Sequence, residues 1–408
     1  MANTIMNHWS ALRAILILIV SATLPLSAQE PAQVPPSGAP PQQELQPGAA
    51  PSTPLASPSP AAQAPQAVPP SSPANDAARY LAGLPVAPGS ALAALARDPR
   101  WTAHAKAMNQ AFAQLDQRQL NNIRVFQADN VAPVTQQSHT CVYLFSGPDF
   151  LYADAMFPNC STYVLQGLEP IDPIPDLSTV PSAALFGTLQ NIQLSLNTIL
   201  SFSFFKTKDM REDFERSQLK GVLPSIFVFM ARTGKEIKEI QYISLDKAGN
   251  VGQGFQGATR GAKITFTDAA SGSEKLLYYF TSDLSDEAIK RNSGLLRFCQ
   301  SLGPANSLLK AASYLLHEGG FDLVRNFLLQ NSSAILQDDS GIPVHYFPPD
   351  HWTLRFFGVY TAPIDLFKKF YQADLRKYYA ESSPKPLTFG FGYRWNSRTS
   401  TLFLAVRK

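Results

Sequence analysis

Cys141-Val-Tyr-Leu-Phe-Ser146, then Gly147-Pro-Asp149, then a helical stretch through Met156, then Tyr163-Val-Leu-Gln-Gly-Leu168: the reading of this run decides the fold. It spells an apolar strand, a turn, a helix and a second strand ending at Glu169-Pro170. Two strands joined by a helix imply a parallel pair, because a parallel connection needs a crossover where a hairpin needs only a turn. Pro148 and Asp149 suit a helix start, where a missing N–H and a negative charge are both favourable.

Downstream, residues 182–232 read as largely helical, with the charged stretch 206–216 interrupting apolar ones. After Gly234 the period changes to two, and residues 237–245, 262–267 and 276–281 read as successive antiparallel strands. Helices are expected over 285–302, 306–317 and 321 to about 329, strands over 342–347 and 352–360, and a helix over 364–379. The chain closes with 387–395 and 401–406, joined by Asn396-Ser-Arg-Thr399, which reads as a hairpin. In its first strand Phe389, Phe391, Tyr393 and Trp395 share one face, a pattern of core packing or of a ligand platform. Gly390, Gly392 and Arg394 share the other, and the glycines ask for a close neighbour, a helix. Upstream, 77–121 reads as two helices broken at Asp98-Pro99. The expected class is therefore α/β or α+β, a mixed sheet with flanking helices ending in a C-terminal β-hairpin.

The first 75 residues read differently. Arg13 precedes the apolar run 14–20, which weakens through Leu26 and ends in Leu26-Ser27-Ala28. That layout is a secretory signal peptide, residues 1–28. Its apolar core falls short of the roughly 20 residues that cross a bilayer of about 30 Å, so no transmembrane helix is expected after cleavage; a retained anchor is the other reading. Residues 29–75 hold 14 of the 33 prolines with two charges and no aromatic residue. Such a segment cannot bury enough apolar surface to offset its ordering entropy and reads as a disordered, partly polyproline spacer. Residues 76–408 remain as one globular mixed α/β domain or two subdomains. The localisation expected is periplasmic or extracellular.

A net charge of +3 without a basic block argues against nucleic acid, leaving an envelope component or a small ligand as the expected partner. Three cysteines are present, and Cys141 and Cys160, separated by 18 residues, are candidates for a disulfide in an oxidising compartment. Cys299 would then be a buried free thiol. No zinc spacing exists, and no metal or cofactor is expected.

Three constellations carry candidate chemistry. On a helix over 306–317, Lys310, Ser313, Tyr314 and His317 fall within an arc of about 100°, opposite Leu308, Leu309, Ala312, Leu315 and Leu316. Ser313 and His317 would stand one turn apart as nucleophile and base, with Lys310 and Tyr314 as ligand-binding groups; the same pattern also describes a solvated helix face. In Gln337-Asp-Asp-Ser-Gly-Ile-Pro343, Asp338 or Asp339 would orient an imidazole or move protons, unless the motif is only a turn with Asx-type bonds and a glycine at positive φ. Ser146 and Asp149 stand at the carboxyl end of a strand, where α/β folds bind ligands. No Gly-x-Gly-x-x-Gly or Walker loop accompanies them, and Asp149 would repel a phosphate.

The runs Phe145-Ser-Gly-Pro-Asp-Phe-Leu-Tyr-Ala-Asp154, Gly167-Leu-Glu-Pro170, Lys310-Ala-Ala-Ser-Tyr-Leu-Leu-His317 and Gln337-Asp-Asp-Ser-Gly-Ile-Pro343 look like a family of exported bacterial proteins of unknown function. The likeness spans residues 76–408. It implies export and one continuous module, and brings no activity, cofactor or catalytic residue with it. The function expected is a binding or structural role in the periplasm or cell envelope. The alternative is an envelope hydrolase joining the Lys/Ser/His face to the Asp-Asp loop. A third reading is a methyltransferase-like enzyme fold reused outside the cell without its cofactor.

Overall fold

The structure is a computed structural model that describes residues 71–204 and 219–408. The signal peptide, all but the end of the spacer, and the charged stretch 206–216 lie outside the described residues.

Helix α1, Pro73–Leu81, opens the fold, with Ser72 as N-cap and proline at its start. A proline start also sets α2, Pro99–Leu115, where Asp98 accepts the Arg100 N–H at 2.8 Å, so the break expected at Asp98-Pro99 is a capped helix start. Helix α3, Asn121–Phe126, follows. Next come β1, Thr140–Tyr143, helix α4, Phe150–Met156, and β2, Thr162–Gly167. Strands β1 and β2 pair in parallel, as the strand–helix–strand reading requires. Helices α5, Ser182–Phe202, and α6, Leu223–Arg232, lead to β3, Lys235–Leu245, β4, Val251–Gln253, β5, Thr259–Asp268, and β6, Glu274–Thr281. Helices α7, Asp286–Arg291, and α8, Gly294–Ser301, precede β7, Ala305–Leu309. Helix α9, Asp322–Asn331, β8, Ser332–Gln337, β9, Trp352–Gly358, helix α10, Ala373–Ser382, and β10, Thr401–Arg407, complete the chain.

All ten strands form one mixed sheet in the order β4-β3-β5-β6-β2-β1-β7-β8-β10-β9. Five central strands are parallel, and numbered by their own appearance they run 3-2-1-4-5. That is doubly wound order, whose direction of winding reverses between β1 and β7. Strands β3 to β5 extend one side as an antiparallel flap, and β10 runs antiparallel between β8 and β9 on the other. Helices cover both faces: α1 to α6 bury one apolar layer with Cys141, Tyr143, Tyr163 and Leu165, whereas α7 to α10 bury another with Val142, Leu144 and Val164. The alternation along β1 and β2 is the period of two that divides any strand between its faces. The flap is pinned by buried charges: Lys235 Nζ lies 3.0 Å from Asp154 and 3.2 Å from Asp268, which Lys275 meets at 3.0 Å.

The structure corrects four local expectations. Residues 306–317 are not one helix: Ala305–Leu309 is strand β7 and Ala312–His317 a 3-10 helix. Strand β7 is buried on both faces and so shows no alternation, its polar Asn306 and Ser307 bond Thr135, Ser138 and Ser332, and its leucines join a helix-like spacing downstream. Residues 342–347 carry a 3-10 turn, Val344–Tyr346, behind Pro343, while the strand lies upstream as β8. The C-terminal antiparallel pair exists as β9 and β10, and 387–395 is irregular rather than its first strand. Cys141 and Cys160 are free thiols in hydrogen-bonding contact, not a disulfide. Burial and the neighbouring Cys160 hold Cys141 well above the usual thiol range, so the thiolate needed for disulfide chemistry is suppressed.

Among the described residues no helix is long and apolar enough to cross a membrane.

Candidate functional site

The carboxyl ends of the parallel strands gather most of the charged side chains singled out in the sequence. From the end of β1 the backbone turns through Phe145, at φ 62°, and Gly147, at φ 53°, into α4. Asp149 caps that helix, accepting the Tyr152 N–H at 3.2 Å on Oδ1. Its Oδ2 accepts the Tyr143 hydroxyl at 3.0 Å and lies 2.5 Å from Lys310 Nζ. Lys310 follows β7, so this ion pair spans the place where the winding reverses. The Lys310 ammonium also sits 3.3 Å from the centre of the Tyr152 ring, where the aromatic face attracts a cation. Burial pulls the lysine pKa down, against the nearby carboxylates of Asp149 and Asp338.

After Lys310 the chain makes a γ-turn. Ala311 adopts φ 62° and ψ −77°, and the Ala312 N–H donates to the Lys310 carbonyl at 2.8 Å. A non-glycine residue held there costs about 1–3 kcal/mol and persists only where its surroundings fix it. Asp338 supplies the fixing, since its Oδ2 accepts the Ala311 N–H at 3.0 Å. The other oxygen accepts the Ser340 N–H at 3.0 Å and its hydroxyl at 2.5 Å. Gln337 grips the same loop, bonding both the N–H and the carbonyl of Ile342. Gly341 is required because a side chain would strike Gln337; it does not stand at positive φ. Gly392, at φ 61°, brings the irregular segment 387–395 against Asp338, where a methyl group would overlap Oδ2. The close neighbour of that glycine is thus a carboxylate, not the expected helix.

Asp339 points elsewhere. It accepts the Tyr314 hydroxyl at 2.7 Å, and its backbone carbonyl accepts the Gln372 amide at 3.2 Å. Burial and the Asp338 charge push its carboxyl up to about 7, with the Tyr314 hydrogen bond and Arg394 opposing. Tyr314 is stacked on Phe367, 4.4 Å between ring centres, and on Phe370 at 5.2 Å.

Lys310, Asp149 and Asp338 therefore converge, and Tyr314 and Asp339 adjoin them. The Ser313/His317 dyad is not assembled: Ser313 is fully buried, and its Oγ has no hydrogen-bond partner among the described residues. The one-turn spacing that would pair them belongs to an α-helix, and this segment is 3-10. His317 is held down to about 4 by burial, against hydrogen bonds to the carbonyls of Gly341 and Asp339. Ser146 is spent locally, bonding Gly147 and Gln166, and does not join the Lys310 cluster. No family model, curated protein or solved structure matches this chain.

Sequence reasoning passed over Tyr143, Tyr152 and Gln372 and did not give Gly392 a carboxylate for its neighbour. The tyrosines sit inside apolar runs where nothing marks them as polar partners, and the other two act from distant segments. Glu169 is also more than an end of strand: its carboxylate fills the space beside Gly147 and Gly167 and accepts the Tyr279 hydroxyl at 3.0 Å. Burial raises its pKa against hydrogen bonds from its own and the Leu168 backbone and from Tyr279.

Beside this packed centre lies an open cleft of about 290 Å³, lined by His317, His345, Lys369, Phe370, Tyr371 and Asp374 among others. Among the described residues no group of three or more His, Cys, Asp or Glu side chains is placed to hold a metal ion.

Proposed function

We propose that this chain is a non-catalytic binding module of the cell envelope, exported by its N-terminal segment. The Lys310–Asp149 pair carries the reading. It occupies the crevice at the carboxyl ends of β1 and β7, the place where doubly wound folds seat their ligands. A nucleoside cofactor entering there would have to separate two charges that are each 2% exposed, at a cost of several kcal/mol. Glu169 adds a second plug, since its carboxylate lies in the space between Gly147 and Gly167. These plugs support the idea of an enzyme-like fold reused without its cofactor. They leave the neighbouring cleft as the accessible polar surface.

One observation favours the rival hydrolase: a carboxyl held at about 7, as Asp339 is, suits general acid–base work at neutral pH. Against it stands the enclosed, unpartnered Ser313.

The test uses the mature protein recovered from an envelope fraction, its terminus expected at Gln29 and read by mass spectrometry. Thermal unfolding with millimolar NAD, S-adenosylmethionine or ATP is expected to show no stabilisation. A screen with ester, glycosidic and peptide substrates is expected to show no turnover. Turnover abolished by Ser313→Ala or Asp339→Asn would overturn the proposal in favour of the hydrolase.

A further inference from the structure

We infer that the outer rim of β9 takes up an extended, acidic segment of a partner protein as one more strand of the sheet. This deepens the binding-module reading and rests on it.

The rim is open over a short stretch. The Val359 N–H donates to the Ser400 carbonyl at 2.8 Å and the Lys408 N–H to the His351 carbonyl at 3.0 Å, so the odd-numbered residues here turn their backbone groups toward β10. The even-numbered residues turn theirs outward. At the two ends these outward groups are taken: the Trp352 N–H donates to the Pro348 carbonyl at 3.0 Å and the Gly358 N–H to the Lys385 carbonyl at 2.7 Å. Between them the Leu354 N–H and carbonyl and the Phe356 N–H have no protein partner among the described residues. Such groups on an edge strand are a template for an added peptide, whose backbone supplies affinity and whose side chains supply specificity.

The two faces of the rim set that specificity. Exposed Arg355 stands two residues before Phe357, which Lys385 bridges in parallel, so the arginine and the lysine share a face. Neither makes an ion pair among the described residues, whereas Lys377 of α10 has Glu381 at 3.9 Å. The segments 351–364 and 382–408, which form and border the rim, carry six basic side chains and no acidic one, although the whole chain is nearly balanced at +3. A partner carboxylate opposite Arg355 therefore meets charge of one sign. Leu354 and Phe356 lie on the other face, where Phe356 stacks at 5.5 Å on Tyr378, a ring 39% exposed. A strand that alternates apolar and acidic residues suits both faces at once.

A second copy of this chain suits them less well. Pairing Leu354 with Phe356 of another copy would set Arg355 against its own counterpart, and like charges directly opposite destabilise a sheet.

The experiment is a fluorescence-anisotropy titration of the labelled peptide Thr-Val-Glu-Val-Glu-Val-Thr with the mature protein, beside the same peptide with lysine in place of glutamate. The glutamate peptide is expected to bind saturably and the lysine peptide about tenfold more weakly or not at all. Leu354→Pro removes an outward N–H that β10 does not use, a change edge strands tolerate, and is expected to weaken binding about tenfold. Arg355→Glu alters an exposed side chain and is expected to invert the preference between the peptides, which keeps the test open if Leu354→Pro fails to fold. Binding of neither peptide overturns the inference, and a preference unchanged in Arg355→Glu places the peptide elsewhere. A dimer that forms without peptide binding and is dissociated by Leu354→Pro in sedimentation overturns it in favour of a second copy. Capture by anionic phospholipid vesicles with no peptide binding overturns it in favour of a lipid surface. Cleavage of either peptide would instead topple the non-catalytic reading, so the two failures are distinguishable.

Discussion

Lys310 Nζ stands 2.5 Å from Asp149 Oδ2 although the two residues are far apart in the chain, because β7 and β1 are neighbours in the sheet. Both side chains are 2% exposed. Lys310→Met leaves Asp149 buried with only the Tyr143 hydroxyl and the Tyr152 amide, and is expected to cost about 3–5 kcal/mol in urea unfolding. Adding Asp149→Asn keeps an N-cap oxygen, removes the orphaned charge and should recover a large part of that loss. A Lys310→Met protein as stable as the parent would show that the pair is not a structural plug.

Asp339 gives the fold a pH signature. Its folded pKa of about 7 lies above the ordinary 3.8, so its contribution to stability is fully present below about 4 and is lost as pH rises through 7. Asp339→Asn removes that decline. Relative to the parent, the variant should gain stability, on the order of a few kcal/mol, between pH 4 and pH 8. A difference independent of pH would mean that Asp339 is ionised in the fold.

His317 works in the opposite direction. Its folded pKa of about 4 is below the ordinary 6.5, so its contribution is present above about 6.5 and is lost as pH falls through 4. His317→Ala should therefore lose less stability on acidification than the parent, by up to about 3 kcal/mol between those limits. Chemical unfolding at a series of pH values reads this directly.

Gly392→Ala combines a left-handed backbone with overlap on Asp338, whereas Gly303, at φ 81°, has nothing near its absent side chain. Gly303→Ala should cost only the conformational penalty of about 1–2 kcal/mol. Gly392→Ala should cost clearly more, read as a lower Tm. Equal costs would place Asp338 away from the glycine.

The three cysteines are buried free thiols, and burial pushes Cys299 up to about 12. Alkylation by iodoacetamide should be negligible in the native protein and reach all three residues after denaturation without reductant. Only one alkylated residue would mean that Cys141 and Cys160 had been oxidised.

The parallel pair β1 and β2 was legible because a proline-marked helix start separates two short apolar runs, and the antiparallel flap because its strands alternate in polarity. Strand β7 was not. Ala305–Leu309 is buried along its whole length, so it shows no alternation, and Leu308, Leu309, Ala312, Leu315 and Leu316 imitate the spacing of a helix. Lys310 was therefore singled out for its place on a helix that does not exist, yet it stands beside two of the carboxylates named with it. The partnership of Asp149 with Lys310 depends on the order of strands, which no local pattern carries. The 338–341 loop was readable as turn chemistry from Asp-Asp-Ser-Gly, but its burial under Gly392 was not, because the covering segment was expected to be a strand.

The sheet ends at β4, three residues long, on one side and at β9 on the other. At β9 the Gly358 N–H donates to the Lys385 carbonyl at 2.7 Å, so a crossing segment takes up part of the outer rim. On the other side β4 covers only Ile243–Leu245 of the longer β3, while Ser72 and Asn75 bond the backbone of Ile237 and the exposed Glu236, Lys238 and Glu239 line the rest. Charges and side-chain bonds along an open rim discourage a second molecule from adding its own strand there.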